Sequence, residues 1–137
     1  MINGGMATIM VRDFDRAVRF YTETLGLKLK FRAGDHWAEV IAGPALIIGL
    51  HPWSPGHGPE PGQASGISVG FDVNPIEKAV DTLRSKGITF RGPIQDNDNV
   101  KLAFFGDPDG NPLYLCETKP MPEHAQAHAG ASKTANT

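Results

Sequence analysis

Apolar residues alternate with small or polar ones through short runs, and each run ends in a cluster of turn formers. Ala7, Ile9 and Val11 share one face of a strand predicted over residues 6–12, with Met6, Thr8 and Met10 on the other. The period then lengthens. Ala17, Val18, Tyr21 and Leu25 form a helical stripe over 14–25, with Asp13 and Asp15 as N-terminal caps and Gly26 where the helix must stop. Period two returns in strands predicted at 27–32, 36–41 and 45–51, the first pair joined by the Gly34-Asp35 turn. In the second of these Trp37, Glu39 and Ile41 oppose His36, Ala38 and Val40. In the third Leu46, Ile48 and Leu50 oppose Ile47, Gly49 and His51. The segment 52–65, PWSPGHGPEPGQAS, is too rich in proline and glycine for helix or strand and reads as a connector.

The pattern then starts again. Ile67, Val69 and Phe71 alternate with Gly66, Ser68 and Gly70. Asn74-Pro75-Ile76-Glu77 predicts a helix start, with Ala79, Val80 and Leu83 as its buried stripe and Gly87 as its end. Further strands are predicted at 88–90, about 100–105 and 112–117, with 95–99 as a polar loop. The last two form a hairpin around Asp107-Pro108-Asp109-Gly110, in which Leu113 and Leu115 face a core and Tyr114 and Cys116 face the other way. One unit, strand–helix–strand–strand–strand, therefore occurs twice. The predicted fold is α+β: two βαβββ modules, each with a helix on one sheet face, whose other faces curl into a cleft. The modules fall at about 6–52 and 66–118, with linker 53–65, as one domain over 1–118.

Length and charge narrow the possibilities. A chain of 137 residues is enough for one domain with a real core, and a net charge of −2 offers no bulk basic field for nucleic acid or an anionic membrane. No apolar run reaches bilayer length, and the N-terminus lacks the basic and long apolar regions of a signal peptide, so a cytoplasmic protein is expected. Cys116 is the single cysteine, which excludes an internal disulfide. The tail 119–137 has little apolar content and is expected to be mobile.

Two phrases carry a family resemblance. Val11-Arg12-Asp13, Arg16-Ala17-Val18, Phe20-Tyr21 and Leu25-Gly26-Leu27 resemble the first strand–helix segment of the vicinal oxygen chelate superfamily. That superfamily includes glyoxalase I, bleomycin-resistance proteins and extradiol dioxygenases. Phe104-Phe105-Gly106-Asp107-Pro108-Asp109-Gly110-Asn111-Pro112 is similar to its final hairpin. The resemblance spans about residues 6–118 and implies the two-module fold, a homodimer, and in metal-dependent members one His or Glu ligand on each of four strands. Those four positions fall here on Met6, Gly49, Gly66 and Tyr114, none a good ligand for a hard or borderline divalent ion. A slip of one residue restores no ligand set. No cofactor is expected; the alternative is a divalent metal at a displaced site built from His36, Glu39, His51 and His57.

The candidate ligand wall is Met6, Thr8, Trp37, Gly49, His51, Gly66, Ser68, Tyr114 and Cys116, with Gly49, Gly66 and Gly70 leaving room for an organic molecule. His51 is a candidate hydrogen-bonding partner or general base, or else a half-solvated histidine at a strand end. Tyr114 is a candidate donor to a ligand oxygen, or else a packing aromatic. Trp37 and Trp53 suit stacking on a planar ligand; otherwise Trp37 is a core or dimer contact and Trp53 a loop anchor. Cys116 has no cation nearby in sequence to activate it and reads as inert. The expected function is metal-free binding of a small molecule of the bleomycin-resistance type. Lyase, isomerase or dioxygenase chemistry at His51 and Tyr114, or at a displaced metal, is the alternative, and a cleft filled by its own side chains is a third.

Overall fold

The computed structural model describes residues 1–56, 58–63 and 66–120. Strand β1 (Ala7–Val11) leads into helix α1 (Phe14–Arg19), then β2 (Lys28–Ala33), β3 (Trp37–Ala42) and β4 (Leu46–Pro52). The second half runs β5 (Val69–Asp72), α2 (Ile76–Ser85), β6 (Gln95–Asp96), β7 (Val100–Gly106) and β8 (Pro112–Thr118). The sheets have the same order, β1-β4-β3-β2 and β5-β8-β7-β6, so the sequence repeat is a structural repeat. In each, the first strand pairs parallel to the last and the remaining pairs are antiparallel. Neither sheet closes on itself, as expected for two βαβββ modules.

Each helix covers the predicted sheet face. Ile9, Val11, Ile48 and Leu50 are buried beneath Phe14, Ala17, Val18 and Tyr21 of the first helix; Phe71, Leu113, Leu115 and Phe105 lie beneath Ile76, Val80 and Leu83 of the second. All belong to one contiguous core. Asp13 caps α1, its Oδ1 accepting from the Arg16 amide at 3.1 Å. The helix widens into a π turn over Phe20–Thr24 and ends at Gly26, whose φ of +76° suits glycine. The Thr22 hydroxyl occupies the Val18 carbonyl at 2.7 Å, which accounts for the departure from α geometry within the predicted 14–25 helix.

Three expectations need correction. The predicted strand 88–90 is not a strand: Ile88 and Phe90 pack on the core, but Gly92 and Pro93 turn the chain away before a ladder forms. The ladder forms instead at Gln95–Asp96, within the predicted polar loop. Strand β5 starts only at Val69, because Gly66 has φ of +81°. Ile67, expected in the core, is 71% exposed. Neither Asn74 nor Glu77 caps α2. Glu117 Oε1 on β8 accepts from the Ile76 amide at 2.8 Å, and Glu77 pairs with Lys101 at 2.8 Å. The predicted tail from 121 onward lies outside the described residues.

The modules are joined at the β7–β8 turn. Asp107, 5% exposed, accepts four hydrogen bonds: from the Asp109 and Asn111 amides at 2.9 Å, from Asn111 Nδ2 at 2.9 Å, and from the Tyr21 hydroxyl at 2.8 Å. Asn111 Nδ2 also donates to the Met10 carbonyl at 3.0 Å, and the Arg12 amide donates to Asp109 Oδ2 at 3.2 Å. Arg12 further pairs with Glu60 at 2.7 Å and lies 5.1 Å over the Trp53 ring, which fastens the linker to the same junction.

Burial and the adjacent Asp107 hold the Tyr21 phenol well above its ordinary pKa of 10.0. A raised folded-state value favours folding below pH 10 and loses that contribution as pH climbs through the folded value. Tyr21→Phe is expected to cost about 1–2 kcal/mol at pH 7, a net buried hydrogen bond. It is also expected to flatten the alkaline fall in stability seen for the parent protein. Urea denaturation at pH 7 and at rising pH above 9 reads both.

Candidate functional site

The faces turned away from the helices carry the candidate residues. In the first module the ladder sets Thr8 and Glu39 on either side of Gly49, with Trp37, Ile41, Ile47 and His51 on the same face. A bulge between Leu29 and Phe31 places Phe31 opposite Glu39 on this face, and it is 52% exposed.

Trp37 is held in a defined pose. Its Nε1 donates to Glu39 Oε2 at 2.8 Å, and Lys30 Nζ lies 3.8 Å from Glu39 Oε1. The ring lies directly over Gly49: a Cβ built there would be 2.3 Å from Trp37 Cη2. His51 meets Trp37 edge-on, with centroids 6.2 Å apart. His51 Nδ1 is 2.7 Å from the Pro52 carbonyl, which can only accept, so Nδ1 carries a proton there and Nε2 points away from that contact.

The second module repeats the device with different residues. Tyr114 lies across the ladder from Gly70, and a Cβ at Gly70 would be 2.2 Å from Tyr114 Cζ. Phe104 packs against Tyr114 at 5.8 Å. Cys116 stands between Asp72 and Leu102 on the same face, half-buried.

The glycines therefore do not leave room for a ligand as expected. Gly49 and Gly70 receive the chain's own aromatic rings, and Gly66 lies outside β5, exposed. Met6 precedes β1 and is 46% exposed. The nine predicted wall residues thus separate into groups. Thr8, Trp37, Gly49 and His51 share one sheet; Tyr114 and Cys116 share the other. Thr8 and Ser68 meet across a small cavity of about 170 Å³ between β1 and β5, walled by Met10, Pro59, Pro61 and Gln63. Trp53 is a loop anchor: its amide donates to the Val11 carbonyl at 2.8 Å, while its buried Nε1 has no partner among the described residues. Reading along the chain missed Phe31 and Phe104. A bulge is not legible in alternation, and Phe104 is inconspicuous beside the turn motif it precedes.

The residues present do not fit the superfamily's usual divalent metal. Met6 offers a thioether, Gly49 is roofed by Trp37, Gly66 is off the strand, and Tyr114 lies flat on Gly70. Among the described residues no three His, Cys, Asp or Glu side chains lie close enough to hold an ion. Of the displaced set, His36 is exposed in the β2–β3 turn and His57 lies outside the described residues.

Replacing Gly49 by alanine tests the Trp37 seat. The added methyl must displace the indole, so Gly49→Ala is expected to cost about 1–3 kcal/mol and to change tryptophan emission. Gly43→Ala in the β3–β4 turn, where a Cβ meets nothing within 4 Å, separates backbone strain from collision.

The comparisons agree with this architecture. The sequence profile of the Glyoxalase/Bleomycin resistance protein/Dioxygenase superfamily matches residues 5–115. A probable chloroplastic lactoylglutathione lyase from Arabidopsis thaliana is 32% identical over 82% of this chain, although the chain spans only 35% of that protein's length. The crystal structure of a superfamily member from Sphaerobacter thermophilus is 30% identical, with a TM-score of 0.70 over 85% of this chain and 98% of that one. TnmS3, an antibiotic binding protein from Streptomyces sp. CB03234, is 24% identical with a TM-score of 0.70 over 87% of this chain and 98% of its own. The chain belongs to the glyoxalase/bleomycin resistance protein/dioxygenase superfamily.

Proposed function

We propose that this protein binds a small organic molecule with a planar aromatic part on the helix-free sheet faces, without a metal. The observation that carries the reading is the Trp37 assembly. An indole seated on Gly49, hydrogen-bonded to Glu39 and flanked by the His51 imidazole, is a held stacking surface beside a hydrogen-bonding ring. Tyr114 and Phe104 supply a matching aromatic surface in the second module. The fold of TnmS3, an antibiotic binding protein, is consistent with such a role.

The same reading includes a homodimer. The edge strand β2 leaves Leu29 and Phe31 43% and 52% exposed, apolar surface that a second copy would cover. No helix among the described residues is long and apolar enough to cross a membrane, and the proposed setting is cytoplasmic.

The second reading is an enzyme, favoured by the relative named as a lactoylglutathione lyase. In it His51 Nε2 accepts a proton from substrate while the Pro52 carbonyl fixes the other nitrogen.

A thermal-shift screen of planar aromatic compounds on metal-stripped protein, followed by fluorescence titration, separates the two. Binding is expected to quench tryptophan emission and, at a hundredfold excess over Kd, to add about 2.7 kcal/mol of stability. His51→Ala is expected to weaken binding by about tenfold, the loss of one hydrogen bond. Turnover of a bound compound that His51→Ala abolishes would establish the enzyme reading. Binding only after a divalent ion is added would overturn the metal-free proposal.

A further inference from the structure

A larger groove, of about 810 Å³, lies on the helix side of the sheets between the two modules. This size falls within the ~300–1,000 Å³ typical of small-molecule sites. Its floor is apolar, with Leu25, Leu46, Phe71 and Leu115 contributing. One wall is the β3–β4 turn at 43–45; the other is α2, which presents Lys78 and Thr82 on successive turns, followed by Lys86 at its C-cap. The lysines are thus about 12 Å apart along one edge of an apolar trough.

The charges along that edge are unequally engaged. Lys86 Nζ donates to the Glu23 and Thr24 carbonyls at 3.4 and 3.1 Å, which close the end of the first helix. Lys78 has no ion pair among the described residues, and Glu77, adjacent in sequence but on a different side of the helix, pairs with Lys101. Asp72 also borders the groove, but the alternation along β5 sends its carboxylate to the opposite sheet face with Gly70, across from Cys116. The groove is therefore an apolar trough with a free cation at its rim.

We infer that this groove binds an amphipathic monoanion, a medium-length acyl chain lying on the floor with its carboxylate on Lys78. Gly70 borders the groove, but none of Trp37, His51, Phe104 and Tyr114 lines it, so either assignment stands or falls without the other.

Decanoate, decanol and decylammonium are the probes, titrated into the full chain while backbone amide resonances are followed. Decanoate is expected to saturate and to shift the amides of Leu46, Val73, Ala79 and Thr82, leaving Trp37 emission unchanged. Lys78→Glu, a change on an exposed side chain, is expected to weaken decanoate by about tenfold or more, as loss of a charge-assisted hydrogen bond does. Ala45→Trp, which puts a ring into the trough from an exposed turn, is expected to weaken all binding there. Equal affinity for decanol or decylammonium would overturn the inference. So would unchanged decanoate binding in a folded Lys78→Glu variant, shifts confined to the helix-free strands, or no saturation below about 1 mM.

Discussion

The two modules of this chain meet through one buried carboxylate. Asp107 organises its own turn through two backbone amides and the Asn111 side chain, and its remaining capacity takes the Tyr21 hydroxyl from the other module. A carboxylate this enclosed is tolerated because every donor around it is directed inward. The same turn reaches Met10 through Asn111 and Arg12 through Asp109, so strand, helix and linker of the first module are placed by a five-residue segment of the second. The apolar faces supply the driving force for burial, but they are indifferent to how one module is rotated on the other. The directional bonds at Asp107 are not.

The two glycine–aromatic pairs fill the helix-free faces where the backbone carries no side chain of its own. Small residues on such a face read as empty space only while the neighbouring ring is out of view. Trp37 reaches diagonally across the ladder to Gly49, and Tyr114 reaches straight across to Gly70. Each ring covers backbone that would otherwise stand open, a known way of protecting glycine within a sheet. Since these rings are already in place, a planar ligand would meet a prepared surface rather than one it must order.

Much of the architecture was legible in the chain. The duplicated strand–helix–strand–strand–strand pattern, the Asp13 cap, the Gly26 stop and the apolar faces of β1, β4 and β8 follow from period and turn chemistry. The failures have local causes. Ile67 fits the alternation of β5, but a positive φ at Gly66 breaks the strand before it. Ile88 and Phe90 are apolar because they pack on the core, not because they pair. The cap of α2 comes from Glu117, 41 residues away, and no local rule finds it. For the candidate site, alternation was enough to group Thr8, Gly49 and His51, and Tyr114 and Cys116, on the helix-free faces, but not to show that Met6 and Gly66 fall outside the strands. Which ring covers which glycine depends on register and side-chain reach, and alternation carries neither.

The duplicated halves have not kept the same furniture at equivalent places. One offers an indole, a carboxylate and an imidazole; the other offers a phenol, a benzyl ring and a thiol. A guest touching both would meet an uneven pair of surfaces, one rich in acceptors and one nearly greasy. Turned end for end, it would lose its polar matches. Drift of this kind leaves a duplicated architecture whose two halves present unlike chemistry from equivalent places, so the internal symmetry of the backbone is not a symmetry of its surface.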